Sequence, residues 1–550
     1  MASSWLTSAL SGASRHPKRP EHSYSYGTAG FRTKADILEP VLYRVGLLAV
    51  LRSKAVKGST IGVMITASHN PEADNGVKVV EPMGDMLLAQ WETYATSLAN
   101  AREDDLESVL QDIISKENID MEQSANVFVA RDTRPSSVSL AEVLIEGIQS
   151  LSGQYVNYGL LSTPQLHYMV RCHNTQGSYG KSTETGYYEK LTNAFTKLRQ
   201  KNGGNGKGSY SNQILLDGAN GVGALKVEQL KEHLKGQLDI IVNNDGSKGK
   251  LNEECGADYV KIQQRPPPEM DVKPETKCVS FDGDADRIVY FYMGKGGKFK
   301  LLDGDKIATL IAGYIQELLT EAGIQLTLGL IQTAYANGSS THYATKMLNV
   351  PIACTRTGVK HLHHKAQEFE VGVYFEANGH GTVLFSPSVI PKLDDVCQDK
   401  SLSAGKKEAA TKLRLLVDLI NETVGDAISD LLVVETILYQ KQWNIEEWNS
   451  SYTDLPNRQL KVKVKDRAVI QTTDAERKTT SPAGLQSAID ELVAQYNKAR
   501  SFVRPSGTED VVRVYAEADT QIAADELAAK VGVKVHELAQ GVGDPPSLPS

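Results

Sequence analysis

At 550 residues the chain is too long for one hydrophobic core, and ordinary domain sizes divide it into about three to five domains. With 41% hydrophobic and 23% charged residues it has the composition of an ordinary globular protein, and no apolar run approaches a membrane span. Lys and Arg number 59 against 67 Asp and Glu, a formal charge of -8 without a long basic block, which argues against nucleic-acid binding and leaves any anionic ligand dependent on a local basic site.

In chain order, residues 1–20 lack acids, are rich in Ser and carry Arg15, Lys18 and Arg19 behind the apolar part, so they read as an N-terminal arm rather than a transit peptide. Gly27-Thr28-Ala29-Gly30-Phe31-Arg32 is a glycine-punctuated turn that presents an arginine. Residues 40–55 have helical periodicity, with Val41, Val45, Leu48 and Leu51 on one face. The apolar run Ile61-Gly62-Val63-Met64-Ile65 predicts a buried strand, closed by Thr66-Ala67-Ser68-His69-Asn70-Pro71. A strand at 127–130, a loop and helix start at 131–137 and an amphipathic helix at 139–148 follow. Repetition of strand, loop and helix is the doubly wound signature.

Glycine-rich residues 202–208 break all periodicity and mark a surface loop near a domain boundary. Beyond them, strand 213–216 enters a glycine-rich turn and strand 278–281 delivers Asp282. A third region has a helix at 305–319, strands at 326–333 and 371–375, the loop Glu376-Ala377-Asn378-Gly379-His380-Gly381 and a polar helical tail. From about residue 431 the pattern becomes α+β, with alternating strands at 459–464 and 511–516 and helices at 484–498 and 521–538. The expected division is 1–195, 196–300, 301–430 and 431–550. Cys172, Cys255, Cys278, Cys354 and Cys397 are scattered and never form a CxxC pair, which suits reduced thiols and offers no zinc spacing.

Ser68 stands just past a strand's C-terminal end, the sheet edge where α/β ligands bind, and suits a nucleophile or phosphate carrier; the same hexapeptide is also a common polar turn. Asp282-Gly283-Asp284-Ala285-Asp286-Arg287 spaces three carboxylates two residues apart after a strand, a pattern that converges on a hard cation such as Mg²⁺. Arg504-Pro505-Ser506-Gly507-Thr508-Glu509 combines a guanidinium, two hydroxyls and a glycine into a phosphate cradle, with Arg513 as a second cation. Glu376, Asn378 and His380 mix donors and acceptors suited to sugar hydroxyls. His361-Leu362-His363-His364 lacks a metal partner set and reads as a solvated helix face, and Gly180-Lys181-Ser182 fails as a P-loop because its leading glycine position holds Thr175.

Taken in order, these four loops resemble those of the α-D-phosphohexomutase superfamily. That resemblance implies three related α/β domains and a smaller α+β domain around a central cleft. Glu376-Ala377-Asn378-Gly379-His380, combined with the serine loop, is similar to the eukaryotic phosphoacetylglucosamine mutase branch, which interconverts N-acetylglucosamine 6-phosphate and 1-phosphate on the route to UDP-N-acetylglucosamine. A glucose- or mannose-phosphate mutase and a non-catalytic sugar-phosphate scaffold are the alternatives.

Carried onto matching positions, the resemblance makes Ser68 a phosphoserine that passes its phosphoryl group through a hexose 1,6-bisphosphate. Mg²⁺ would sit on Ser68, Asp282, Asp284 and Asp286. Lys78 and Arg32 would share acid/base work, Lys78 through a lowered pKa, with His69 as a further candidate base or an orienter of Ser68. Arg287 would help hold the substrate, Arg504, Pro505, Ser506, Gly507, Thr508 and Arg513 would take the distal phosphate, and Glu376, Ala377 and Asn378 would read the sugar. The expected partner is a small sugar phosphate in the cytoplasm, with neither nucleic acid nor membrane, and no motif sets an oligomeric state.

Overall fold

The computed structural model of the chain describes residues 4–28, 30–200, 208–506 and 510–547, so the glycine-rich stretch at 202–207 lies outside the described residues. Its sheets repeat one plan. The first is ordered Phe31–Lys34, Asp74–Val80, Ile61–Ile65, Asn126–Arg131, Gln154–Leu160, in which the last three strands run parallel and the first two join antiparallel. In the second, Phe299–Leu302 and Ile288–Met293 flank the parallel strands Cys278–Phe281, Gln213–Asp217 and Asp239–Asn243 in the same manner. A third sheet contains the parallel triplet Ile352–Thr355, Leu328–Thr333 and Val371–Phe375. The last part differs: Asn457–Lys463, Val511–Glu517 and Arg500–Pro505 form an antiparallel sheet, packed through Val462, Val503, Val512 and Val514 on the helices Leu485–Val493 and Gln521–Leu538. Three parallel-core α/β regions followed by a smaller α+β region match the expected fold class.

Internal contacts group the described residues into two units. The first takes in those up to Asp303, Asn378–Thr382 and Arg414–Glu446; the second takes in Gly304–Ala377, Val383–Leu413 and those from Glu447 onward. Each of the boundaries expected at 195, 300 and 430 falls inside an element: helix Glu184–Gln200, strand Phe299–Leu302 and helix Ala427–Lys441. Composition changes near those points, but backbone ladders, which composition does not reveal, run through them.

Strand Ile61–Ile65 is buried along its whole length, as an unbroken apolar run between covered sheet faces requires. Helix Glu39–Ala55 departs from its periodicity, which assigns one buried face; Pro40 through Lys54 are all buried. Neighbours cover it on several sides. Tyr43 donates to the Ala9 carbonyl at 2.9 Å, the Arg52 guanidinium lies 4.9 Å from the centre of the Trp91 ring, and a Cβ at Gly147 would come within 2.1 Å of the Tyr43 carbonyl. Arg52 is neutralised by a two-pronged pair with Glu81 at 3.0 and 2.7 Å. The N-terminal arm is likewise corrected: Ser4–Arg15 is a helix that buries Leu6, Ala9 and Ala13 in the first core.

Candidate active site

Strand Ile61–Ile65 ends in a turn where Ser68 adopts φ 53, a left-handed conformation uncommon for a residue with a side chain. Such strain persists where the surroundings over-determine it. The Ser68 amide donates to Thr66 Oγ1 at 2.9 Å, and that hydroxyl donates to Asp132 Oδ2 at 2.8 Å. The Ser68 carbonyl accepts from Arg134 Nη2 at 3.0 Å and from Asn252 Nδ2 at 2.8 Å. Arg134 also reaches the carbonyls of Asn70, Pro71 and Asp74 at 2.8, 2.5 and 2.8 Å and pairs with Asp132 through Nε at 3.0 Å. Burial pushes the Asp132 carboxyl up, and Arg134 draws it partly back. Sequence reading took residues 131–137 for a loop and helix start only; the clamp is built from backbone carbonyls, which leave no sequence motif.

Ser68 Oγ donates to Asp282 Oδ2 at 2.8 Å and to Asp286 Oδ1 at 3.3 Å. Asp282, Asp284 and Asp286 are all buried, and an oxygen of each lies within 4.8 Å of the others. Burial and the two neighbouring carboxylates hold Asp282 well above the usual carboxylate range; burial also pushes Asp284 and Asp286 up, but Lys78 together with Thr163 at Asp284, and with His380 and Arg287 at Asp286, brings both below it. Thr163 Oγ1 donates to Asp284 Oδ2 at 2.6 Å, whereas Asp284 Oδ1 is buried without a hydrogen-bond partner among the described residues. Three converging buried carboxylates with an unsatisfied oxygen fit a hard divalent cation.

Lys78 is the main departure from expectation. Its ammonium stands 3.0 Å from Asp284 Oδ2 and 2.9 Å from Asp286 Oδ2. Burial lowers its pKa, but the two carboxylates prevail and the net shift is upward, the reverse of what a lysine base needs. Arg32, on strand Phe31–Lys34, feels the same carboxylates; burial and Arg287 draw its pKa down, and its Nε is buried without a hydrogen-bond partner among the described residues. His69 Nδ1 lies 2.6 Å from Asp258 Oδ2, and burial followed by Arg287 lowers the imidazole pKa, so the ring is neutral at neutral pH. Burial would raise Asp258, but Arg287, with Nη1 at 3.1 Å, and His69 hold it well below the carboxylate range. Arg287 Nε is also 3.7 Å from Asp282 and 3.8 Å from Asp286. Asp258, on helix Ala257–Gln263, belongs to no motif, and sequence reasoning missed it.

His380, grouped by sequence with the sugar-reading residues, stands instead at the aspartate loop, Nδ1 3.2 Å from Asp286 Oδ1. Gly379 permits this: it has φ +86, and a Cβ there would lie 1.8 Å from the Ile288 carbonyl. Asn378 Oδ1 accepts from the His380 amide at 3.0 Å. Glu376 and Ala377 belong to the second unit, where Glu376 Oε1 accepts from the Gly358 amide at 3.2 Å. Within that unit Arg504 faces Arg513 in register, and Arg513 faces Lys461, a row of three cations on one face of the sheet. Like charges directly opposite are destabilising, so such a row suits an anion. Pro505 ends the Arg504 strand and Ser506 is buried next to it; Gly507 and Thr508 lie outside the described residues. In the same unit the histidine run is not a solvated face: His363 is buried with Nδ1 3.0 Å from the Tyr374 hydroxyl, and only His364 is exposed.

Models described as phosphoacetylglucosamine mutase AMG1, domains II and III, match residues 178–289 and 303–443. Those described as phosphoglucomutase/phosphomannomutase alpha/beta/alpha domain I and C-terminal domain match 48–103 with 107–179, and 460–532. The chain is 57% identical over 521 residues to the phosphoacetylglucosamine mutase of Homo sapiens, covering 95% of each, and 48% identical over 535 residues to that of Candida albicans, covering 94% of this chain and 97% of the relative. The solved structure of Aspergillus fumigatus N-acetylphosphoglucosamine mutase with GlcNAc-6P and magnesium is similar at TM-score 0.93 and 49% identity, over 98% of this chain and 100% of that one. A serine-to-alanine form of that enzyme with glucose 1,6-bisphosphate gives TM-score 0.90 and 47% identity, over 98% of this chain and 100% of that one.

Proposed function

Because the chain belongs to the phosphoacetylglucosamine mutase family of phosphohexomutases, we propose that it interconverts N-acetylglucosamine 6-phosphate and N-acetylglucosamine 1-phosphate through a phosphoserine enzyme and a 1,6-bisphosphate intermediate. The observation that carries this reading is Ser68, left-handed at a strand exit and hydrogen-bonded at 2.8 Å to a buried aspartate trio that fits a cation. Ser68 Oγ carries the phosphoryl group. The free hydroxyl of the bound monophosphate attacks phosphorus, the Ser68 oxygen–phosphorus bond breaks, and the hydroxyl proton passes to a base. Neutral His69, anchored through Nδ1 by Asp258, is suited to take that proton through Nε2. Lys78, Arg32 and Arg287 supply positive charge around the transferring group. Once the sugar has turned, Ser68 recovers the other phosphoryl group.

Asp282, Asp284, Asp286 and the Ser68 phosphate would hold Mg²⁺, which when bound offsets charge on the transferring oxygens. The distal phosphate docks on Arg504, Ser506, Gly507, Thr508 and Arg513, next to Pro505. Glu376, Ala377 and Asn378 address hydroxyls shared by the two sugar orientations. The 1-phosphate product supplies UDP-N-acetylglucosamine synthesis in the cytoplasm. Domain limits are placed at the ends of Glu184–Gln200, Phe299–Leu302 and Ala427–Lys441.

The test is conversion of N-acetylglucosamine 6-phosphate with Mg²⁺ and a trace of hexose 1,6-bisphosphate, followed by ³¹P NMR next to glucose 6-phosphate. Preferential formation of the acetylated 1-phosphate is expected, as is its loss on chelation. Ser68→Ala should abolish turnover and leave the fold intact, because it removes one hydroxyl and no core volume. Turnover of glucose 6-phosphate alone would refute the substrate assignment, and an active Ser68→Ala enzyme would refute the phosphoserine.

A further inference from the structure

Asp474, Ala475 and Glu476 form the turn between strands Gln471–Thr473 and Lys478–Ser481, at φ 51, 55 and 69. Three successive left-handed residues with side chains are unusual in a hairpin, where such positions favour Gly and Asn. The turn directs the Glu476 side chain inward, leaving it 12% exposed. There Glu476 Oε2 accepts from the Thr357 amide at 2.9 Å and the Thr357 hydroxyl at 2.6 Å, and Oε1 lies 3.4 Å from Arg504 Nε. Next to Thr357 in the chain, the Gly358 amide donates to Glu376 Oε1 at 3.2 Å.

One carboxylate therefore joins two loops of different parentage. Thr357 follows strand Ile352–Thr355 and Glu376 follows strand Val371–Phe375, both parallel to Leu328–Thr333, so the two leave the same edge of the third sheet. Arg504 comes from the antiparallel sheet of the last region. The approach to Arg504 is at Nε, the stem of the guanidinium, at 3.4 Å, a charge contact rather than a hydrogen bond, whereas an arginine grips phosphate with two parallel bonds through its paired Nη atoms. A carboxylate on the stem side attracts the guanidinium and so biases the direction of its fork. It also offsets part of the repulsion in the Arg504, Arg513 and Lys461 row.

We propose that Glu476 is a positioning residue: it orients Arg504 and ties it through Thr357 and Gly358 to Glu376, so that the phosphate-gripping fork and the sugar-reading carboxylate keep a set separation. This rests on the reading that Arg504 takes the distal phosphate and Glu376 the sugar. Its consequence is kinetic. A substrate spanning both groups loses binding in the ground and transition states alike when the tie is cut, which raises KM and spares kcat.

Glu476→Gln keeps the shape and the acceptor for Thr357 but carries no charge to turn Arg504. Expected are KM for N-acetylglucosamine 6-phosphate and the inhibition constant of inorganic phosphate both raised about tenfold, with kcat within about twofold and melting unchanged. Thr357→Val should raise KM less, and the double variant should fall short of the product of the two effects because both act on one tie. Unchanged KM and phosphate inhibition in Glu476→Gln would overturn the proposal. Lower values would overturn it too, since the carboxylate would then be a competitor of phosphate. Arg504→Ala serves as the control: if it weakens both constants while Glu476→Gln does not, the positioning role alone is wrong, and if it weakens neither, the phosphate reading beneath it has failed.

Discussion

Arg134→Ala tests whether the Ser68 loop is held from behind. The wild-type guanidinium is buried, pairs with buried Asp132 at 3.0 Å and donates to the carbonyls of Ser68, Asn70, Pro71 and Asp74. Deleting one member of a buried ion pair costs about 3–5 kcal/mol, because the remaining charge stays buried and unpaired. Water entering the vacated space can bond the four carbonyls, so they add little to that figure, but water does not hold them in place. The expected result is a urea unfolding transition weakened by about 3–5 kcal/mol and a kcat reduced about 10²-fold by a displaced nucleophile. Arg134→Met combined with Asp132→Asn separates the two effects. With no orphaned charge it should regain part of the stability, yet leave activity low because the carbonyls remain unpinned. Stability within about 1 kcal/mol of wild type together with full activity in Arg134→Ala would refute the clamp, and so would full activity in the double variant.

Lys78→Met should lower kcat by about 10²-fold or more through lost charge at the reacting group, yet leave Mg²⁺ affinity by calorimetric titration equal or tighter, since the ammonium competes for Asp284 and Asp286; weaker Mg²⁺ binding would contradict this. His167 is buried, donates through Nδ1 to the Gly84 carbonyl at 2.7 Å, and burial lowers its pKa from 6.5 to about 4. The unfolded chain therefore takes up the proton first as pH falls, so the contribution is fully present above pH 6.5 and lost by about pH 4, about 3 kcal/mol in all. His167→Asn keeps a donor for Gly84 without titrating, and should flatten that part of the acid-side stability curve; an unchanged slope in urea melts between those pH values would sink the assignment.

Local chemistry made much of this molecule legible without coordinates. Ile61–Ile65 is an unbroken apolar run and Cys278–Phe281 is interrupted only by Ser280, because both faces of their sheets are covered, and the polar loops behind them are short enough for spacing to show what converges: three aspartates two apart, or a serine at a strand end. Contacts between distant segments were a different matter. Ser68 meets Asp282 across 214 positions and Lys78 meets Asp284 across 206, and at those separations no periodicity records which side chains will touch. Lysine 78 was therefore readable as a candidate base, while its raised pKa depended on which carboxylates it finally faced. Asp258 behind His69, the Arg134 clamp, His380 against Asp286 and the elements that run through the expected domain limits belong with it. Residue type and spacing specify what a loop can do chemically, but the protonation and aim of each group depend on burial and on neighbours that only the packed chain supplies.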